Sequence, residues 1–310
     1  MQATVAVRRS SFAKWFIRKG WLLYLFFLPA AVYYIVFHYA PMYGVIIAFK
    51  DYGPFLGIAK SPWVGLEHFR SFFGSIYFVR LLRNTLLLSF YGIVFSFPLP
   101  IIFAILLNEL ENKTYRSAIQ SLSYVPHFIS TVVVAGLVVT FLSPSSGLVN
   151  AVIQALGGKA TDFMREPSWF RFIYIASGIW QELGWGSIIY FAALSAIDPQ
   201  LYEAAQIDGA GRLRKIIHIS VPGILPVVIT MLLLNLGRLM SVGFEKVFLL
   251  YNSATYETAD VISTYVYRSG LVNQQYSFAA AVGLFNSVVT LVLLTFFNTV
   301  ARRVSEYSLW

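Results

Sequence analysis

The residues able to do chemistry in this chain are few, and they gather in two places. One is a set of polar side chains inside apolar stretches. The segment "WQELGWGSIIYF" carries Trp180, Gln181, Glu182, Trp185 and Tyr190, and later stretches carry Asn235, Arg238, Phe244, Glu245 and Asn286. Ionisable groups at membrane depth are costly and usually line a cavity or pair with one another, so Glu182, Arg238 and Glu245 mark a polar route. Aromatic faces beside neutral hydrogen-bonding groups can line a path for a polar solute, the rings offering surface to stack on and the polar groups offering partners. Gln181, Glu182, Trp185, Tyr190, Asn235, Phe244, Glu245 and Asn286 are therefore the candidate substrate-path residues. Each also has a plainer reading: Trp185 and Tyr190 as packing or interfacial side chains, Asn235 as an interhelical hydrogen bond, Glu245 with Lys246 at an outer mouth.

The second place is "YEAAQIDGAGRLRKIIHISVP", Tyr202 to Pro222, a polar, small-residue stretch between two apolar ones. Asp198 before Pro199 is a helix start, because Asp accepts bonds from free amides and proline fits the first helical position. A short helix should run to about Asp208, and Gly209, Ala210 and Gly211 allow a tight turn. A second helix follows with Leu213, Ile216 and Ile217 as an apolar stripe and Arg212, Arg214, Lys215 and His218 around it. Pro222 marks the return into the membrane. The product is a compact helix-turn-helix knob with Ala204, Ala205, Gly209 and Ala210 where a partner can approach closely.

Other chemistry finds no support. Cysteine is absent, which excludes disulfides, thiolate metal sites and a Cys nucleophile. His38, His68, His127 and His218 are dispersed without metal-ligand spacing, and His38 and His127 are expected near membrane faces. No Gly-x-x-x-x-Gly-Lys-Ser/Thr loop occurs, so the chain lacks the usual means to bind and split ATP. Energy must come from a partner.

The elements that position these residues are membrane helices. The 310 residues are 58% hydrophobic and 12% charged, against roughly 45–50% and 25% in soluble domains. The net charge of +9 flanks apolar runs, so anionic headgroups and insertion orientation explain it better than nucleic acid. With about 20 apolar residues needed per crossing, six spans are expected, at roughly 21–48, 84–108, 118–142, 171–196, 223–250 and 279–300. Prolines such as Pro98 and Pro100 should bend them without breaking them. Arg8, Arg9, Lys14, Arg18 and Lys19 place residues 1–20 in the cytoplasm. Six crossings return 304–310 there, and the loops at Lys113, Arg212 and Arg302 fall on the same side. A cleaved signal peptide is the weaker alternative, since the first apolar run is too long for a signal core. One domain spans 21–303. The stretch "SPWVGLEHFRSFF" from Ser61 is expected as an interfacial helix at headgroup level.

"EAAQIDGAGRLRKIIHISVPGILP" resembles the EAA loop of permease subunits of binding-protein-dependent ABC importers, with Glu203, Ala204, Ala205, Asp208, Gly209, Ala210, Ile219 and Pro222 at the motif positions. "WVGLEHF", "GFEKVFLLYN", "ADVISTYVYRSG" and "YSFAAAVGLFNSVVT" are similar to sugar permeases of the maltose-permease type. "RRVSEYSLW" is similar to the polysaccharide branch related to lipoprotein-associated permeases of Gram-positive bacteria. The resemblance implies an all-α, six-helix, MetI-like permease fold in a bacterial cytoplasmic membrane. It implies that loop 197–222 is the coupling helix, with Glu203, Ala204, Ala205, Asp208, Gly209 and Ala210 against ATP-binding subunits. It further implies two such subunits, which hold ATP and Mg so that this chain needs no cofactor, a second, homologous permease, identical or different, with a heterodimer expected, and an extracytoplasmic solute-binding protein delivering a saccharide. A permease for another solute class would share the loop. An ion-coupled secondary transporter would need midplane carboxylates and an inverted repeat, and no repeat is visible. A non-transporting scaffold leaves the loop unexplained.

Overall fold

The computed structural model describes residues 23–304 except 238 and 241. Arg238, the basic N-terminal cluster and the 305–310 tail therefore lie outside the described residues. Within them the chain is helical, with one isolated β-bridge between Lys50 and Trp63. Four helices are long and apolar enough to cross a membrane: α1 (Leu23–Phe49), α3 (Phe78–Asn108), α9 (Arg212–Leu236) and α12 (Tyr276–Val304). Between them stand α2 (Glu67–Phe73), the pair α4 (Lys113–Phe128) and α5 (Thr131–Phe141), and α6 (Leu148–Ala155). They are followed by α7 (Pro167–Ser195), α8 (Pro199–Ile207), α10 (Phe244–Leu250) and α11 (Ile262–Tyr267).

The prolines act as expected in α3 and α9. Three π turns, Ile35–Tyr39, Gly92–Ser96 and Ile216–Ser220, each end two residues before a proline: Pro41, Pro98 and Pro222. Proline has no amide hydrogen, and its ring needs room at the carbonyl four residues back. In all three cases that carbonyl lies inside the widened turn, so the helix continues.

Two expected spans are corrected. The third, 118–142, is not one helix: α4 and α5 meet at 97°. Ile129 is extended, and Ser130 starts α5 by accepting the Val133 amide at 3.4 Å; a capping serine in an apolar run outweighs the run's hydropathy. The fifth, 223–250, begins eleven residues early at Arg212 and stops at Leu236 before Gly237, with α10 as a separate helix. Pro222 is thus interior to α9 and marks no boundary. By length and composition the described residues hold four spans, or five with the bent pair. The expected fourth span is α7, about 43 Å long from 29 residues, with Gln181, Glu182 and its serines and glycines holding down its hydropathy.

α7 is the central helix. Phe170 joins a core cluster with Leu88 of α3, Ala135 of α5 and Val247 of α10, while Tyr190 and Leu194 join Ala104 of α3 and Ile224 of α9. Gly184 lets α4 come against α7: a Cβ there would collide with the Ser123 backbone carbonyl, the small-residue contact by which membrane helices approach. α1 is exposed along almost its whole length, and its last turns pack on α12.

The outer stretch does form a helix, α2, and it is anchored to the bundle through Phe72 while Glu67, Arg70, Ser71 and Phe73 stay exposed. Phe72 is 1% exposed, packed with Leu81, Met240, Ile262 and Val282, and Trp63 stacks on Phe49 at 5.8 Å. Nearby is a polar knot that sequence reading missed. Asp260, fully buried, accepts from Thr264 Oγ1 at 2.9 Å and from Arg268 at 2.7 and 3.3 Å, with Arg80 at 3.6 Å. Its backbone carbonyl accepts from Asn84 Nδ2 at 3.0 Å, and Asn84 Oδ1 accepts from Arg171 at 3.0 Å. This knot ties α3, the start of α7 and the segment before α11 at one end of the bundle. The 197–222 loop hangs from the other end of α7, about 36 Å along its axis from Arg171.

Candidate functional site: a cavity along the central helix and a knob at its end

Tyr174, Gly178, Glu182 and Trp185 recur at three-four spacing, which puts them on one face of α7. That face borders a cavity of about 1070 Å³ closed by α3, α9 and α10. Gln181, Glu182, Trp185, Tyr190, Asn235 and Glu245 line it. Phe244 and Asn286 do not. Phe244 packs its ring against Phe248 and Tyr267, at 5.4 and 5.3 Å, because the first turn of α10 aims Lys246, not Phe244, at α7. Asn286 sits on α12 and donates weakly to the Met240 carbonyl at 3.4 Å. Trp180 also lies outside the wall.

Sequence reading missed two wall features. Lys246 lines the cavity with its ammonium over the Tyr174 ring, 5.3 Å from the centroid. His127 lies parallel to Trp185, with 4.4 Å between ring centroids and 1° between planes. Its Nδ1 donates to Glu182 Oε2 at 2.9 Å. Phe128 meets Trp185 edge-on at 5.7 Å, and Gln181 Nε2 donates to the Ile129 carbonyl at 3.0 Å. Three consecutive residues at the α4–α5 bend are thus clamped by one turn and a half of α7. The clamp fixes the indole plane, leaving Trp185 44% exposed.

The knob forms as its local signals predict. Asp198 accepts the Gln200 amide at 2.9 Å and Pro199 opens α8. The helix closes with Gly209 at φ +74°, the Ala210 amide bonded to the Ala205 carbonyl at 2.8 Å and the Gly209 amide to Gln206 at 3.1 Å. This paired closure requires a left-handed residue, which glycine supplies without strain. The knob is braced by Tyr202 and Ser220, whose hydroxyls lie 2.9 Å apart, and by Arg212 donating to Glu111 at 2.6 Å. Glu203, Ala204, Asp208 and Gly209 are exposed; Ala205 and Ala210 border a shallow pocket with Arg214 and His218. Ile207 is 88% and Leu213 69% exposed. The expected stripe of Leu213, Ile216 and Ile217 therefore faces mostly outward, an apolar tip beside acidic Glu203 and Asp208 with nothing among the described residues to cover it.

A helical bundle with a mainly apolar cavity along its central helix, set with a few polar side chains, and a knob braced by hydrogen bonds at that helix's end is the build of a transport permease. The chain belongs to the binding-protein-dependent transport system inner membrane component family, whose model matches residues 96–306. It is similar to the Polygalacturonan/rhamnogalacturonan transport system permease protein YteP of Bacillus subtilis (strain 168), 45% identical over 288 residues, 93% of this chain and 90% of the relative. Protein LplB of the same organism is 43% identical over 293 residues, 94% of this chain and 92% of the relative. Among solved structures, a chain of a bacterial ABC transporter involved in the import of the acidic polysaccharide alginate is 48% identical, with a TM-score of 0.87, covering 93% of this chain and 97% of that one.

Proposed function

We propose that this chain is the permease subunit of an ATP-driven importer for oligosaccharides or polysaccharide fragments. The observation that carries the reading is likeness across more than nine-tenths of the chain to permeases named for polygalacturonan/rhamnogalacturonan and for alginate transport. A second, related permease closes the open side of the cavity, and an extracytoplasmic solute-binding protein delivers the cargo, as in the relative solved with a pentasaccharide-bound periplasmic protein. Two ATP-binding subunits hold ATP and Mg and seat the knob. Six crossings, with the bent pair and α7 each counted as one, keep both termini and the knob in the cytoplasm.

The mechanism is alternating access. ATP binds the closed pair of ATPase subunits more tightly than the open pair, and that difference in affinity supplies the shift. The knob moves with the subunit that holds it. Because α8 follows Ser195 after a three-residue link, its displacement passes directly into α7, which carries Gln181, Glu182, Trp185 and Tyr190 past the cargo. Asn235 and Glu245 complete the path on this side.

Vesicles holding ATP, with the loaded binding protein outside, test the reading. Uptake should require both and persist when ion gradients are collapsed; uptake driven by an ion gradient without ATP contradicts it.

A further inference from the structure

Lys246 stands apart from the rest of the cavity wall. A neutral sugar path needs hydrogen-bonding groups and rings but no formal charge, and a cation withdrawn from water is costly unless something compensates it. Lys246 is half-buried, and no Asp or Glu oxygen among the described residues comes within ion-pair distance of it. Its position is nevertheless built. The Tyr174 face holds the ammonium from one side, and Gly178 opens the space on α7 that it occupies, since a Cβ there would come within 3.2 Å of Nζ. Two carboxylates share the wall. Glu182 is engaged by His127 at 2.9 Å, and Glu245 is exposed in the first turn of α10. Along α7, Gly178 and Trp185 are seven residues apart, about 10 Å, so a charge point and a stacking ring are offset by more than one sugar ring.

We propose that Lys246 binds a carboxylate of the saccharide cargo, making this half of the path selective for uronate-containing chains over neutral ones. The inference rests on the importer reading above and names the class of cargo. An ammonium supplies three donors and full charge, and its hydrogen bond to an ionised acceptor is stronger than any it makes to a sugar hydroxyl.

The test uses the complete complex in nanodiscs, ATPase subunits included, and two probes: a uronate trisaccharide and the same trisaccharide with its carboxyls reduced to alcohols. Wild type should prefer the uronate. Lys246→Met should weaken uronate binding about tenfold and leave the reduced probe unchanged, while Lys246→Arg, which keeps the charge, retains the preference in a complex of equal yield. Equal loss for both probes, no loss, or no preference in wild type overturns the inference. ATP-driven saccharide uptake that persists without charge preference sinks this inference alone; absence of such uptake sinks the importer reading beneath it.

Discussion

Asp260→Ala should lower the thermal midpoint of the assembled permease by about 10 °C. Asp260 is the single acid held between Arg80 and Arg268, its side chain fully buried while theirs are 29% and 24% exposed. Removing one partner of a buried pair costs about 3–5 kcal/mol because the remaining charge is left uncompensated, and in a domain of this size each kcal/mol shifts the midpoint by roughly 2–4 °C. The damage would spread, since the Asp260 segment also receives Asn84 and, through it, Arg171 of α7. A second change, Arg268→Met, should recover part of the loss by removing the stranded cation. A midpoint within a degree of wild type, measured by thermal unfolding of the purified complex, would show that the knot carries no stability.

At the opposite end of α7, Gly209→Val and Glu203→Ala should each reduce ATP-driven uptake by about tenfold or more while ATP hydrolysis continues and the subunit stays in the membrane. A Cβ at Gly209 would meet only open space, so the obstacle is conformational: φ +74° costs a side-chain-bearing residue roughly 1–2 kcal/mol. A β-branched residue would unwind the Ala205–Ala210 closure and re-aim the tip without touching the core. Glu203 is exposed, and on the reading proposed above its loss removes a contact to the ATPase subunit. Transport and hydrolysis measured on the same vesicles decide the matter, because a merely unstable variant loses both.

The knob was legible because its signals are local. Asp198 and Pro199 start a helix and Gly209 ends it within eleven residues, whatever the rest of the chain does. The cavity was half legible: Gln181, Glu182 and Trp185 fall within about 100° of one another on one helix, whereas Tyr190 lies half a turn round from Gln181 and its place at the wall does not follow from spacing. Phe244 lies outside the cavity lining, and the fifth apolar run conceals the interruption between Leu236 and Phe244 that resets the helical phase. His127 carries no periodic signal, and its stack on Trp185 depends on the bend at Ile129 that the valines of "TVVVAGLVV" mask. Asp260 reaches Asn84 across 176 positions, and nothing local announces such a pairing. The role proposed for the knob comes from family resemblance, whereas the position of Lys246 depends on α10 packing against Gly178.

The central claim is that the knob is the seat of an ATP-hydrolysing subunit. The chain has no cysteine, so a single one introduced at Ala205 or Asp208 gives this chain a unique crosslinking site in the assembled membrane complex. The account predicts a product joining this chain to the ATPase subunit from both positions, with a yield that changes when ATP is added. An intact complex that gives no such product from either position would contradict it.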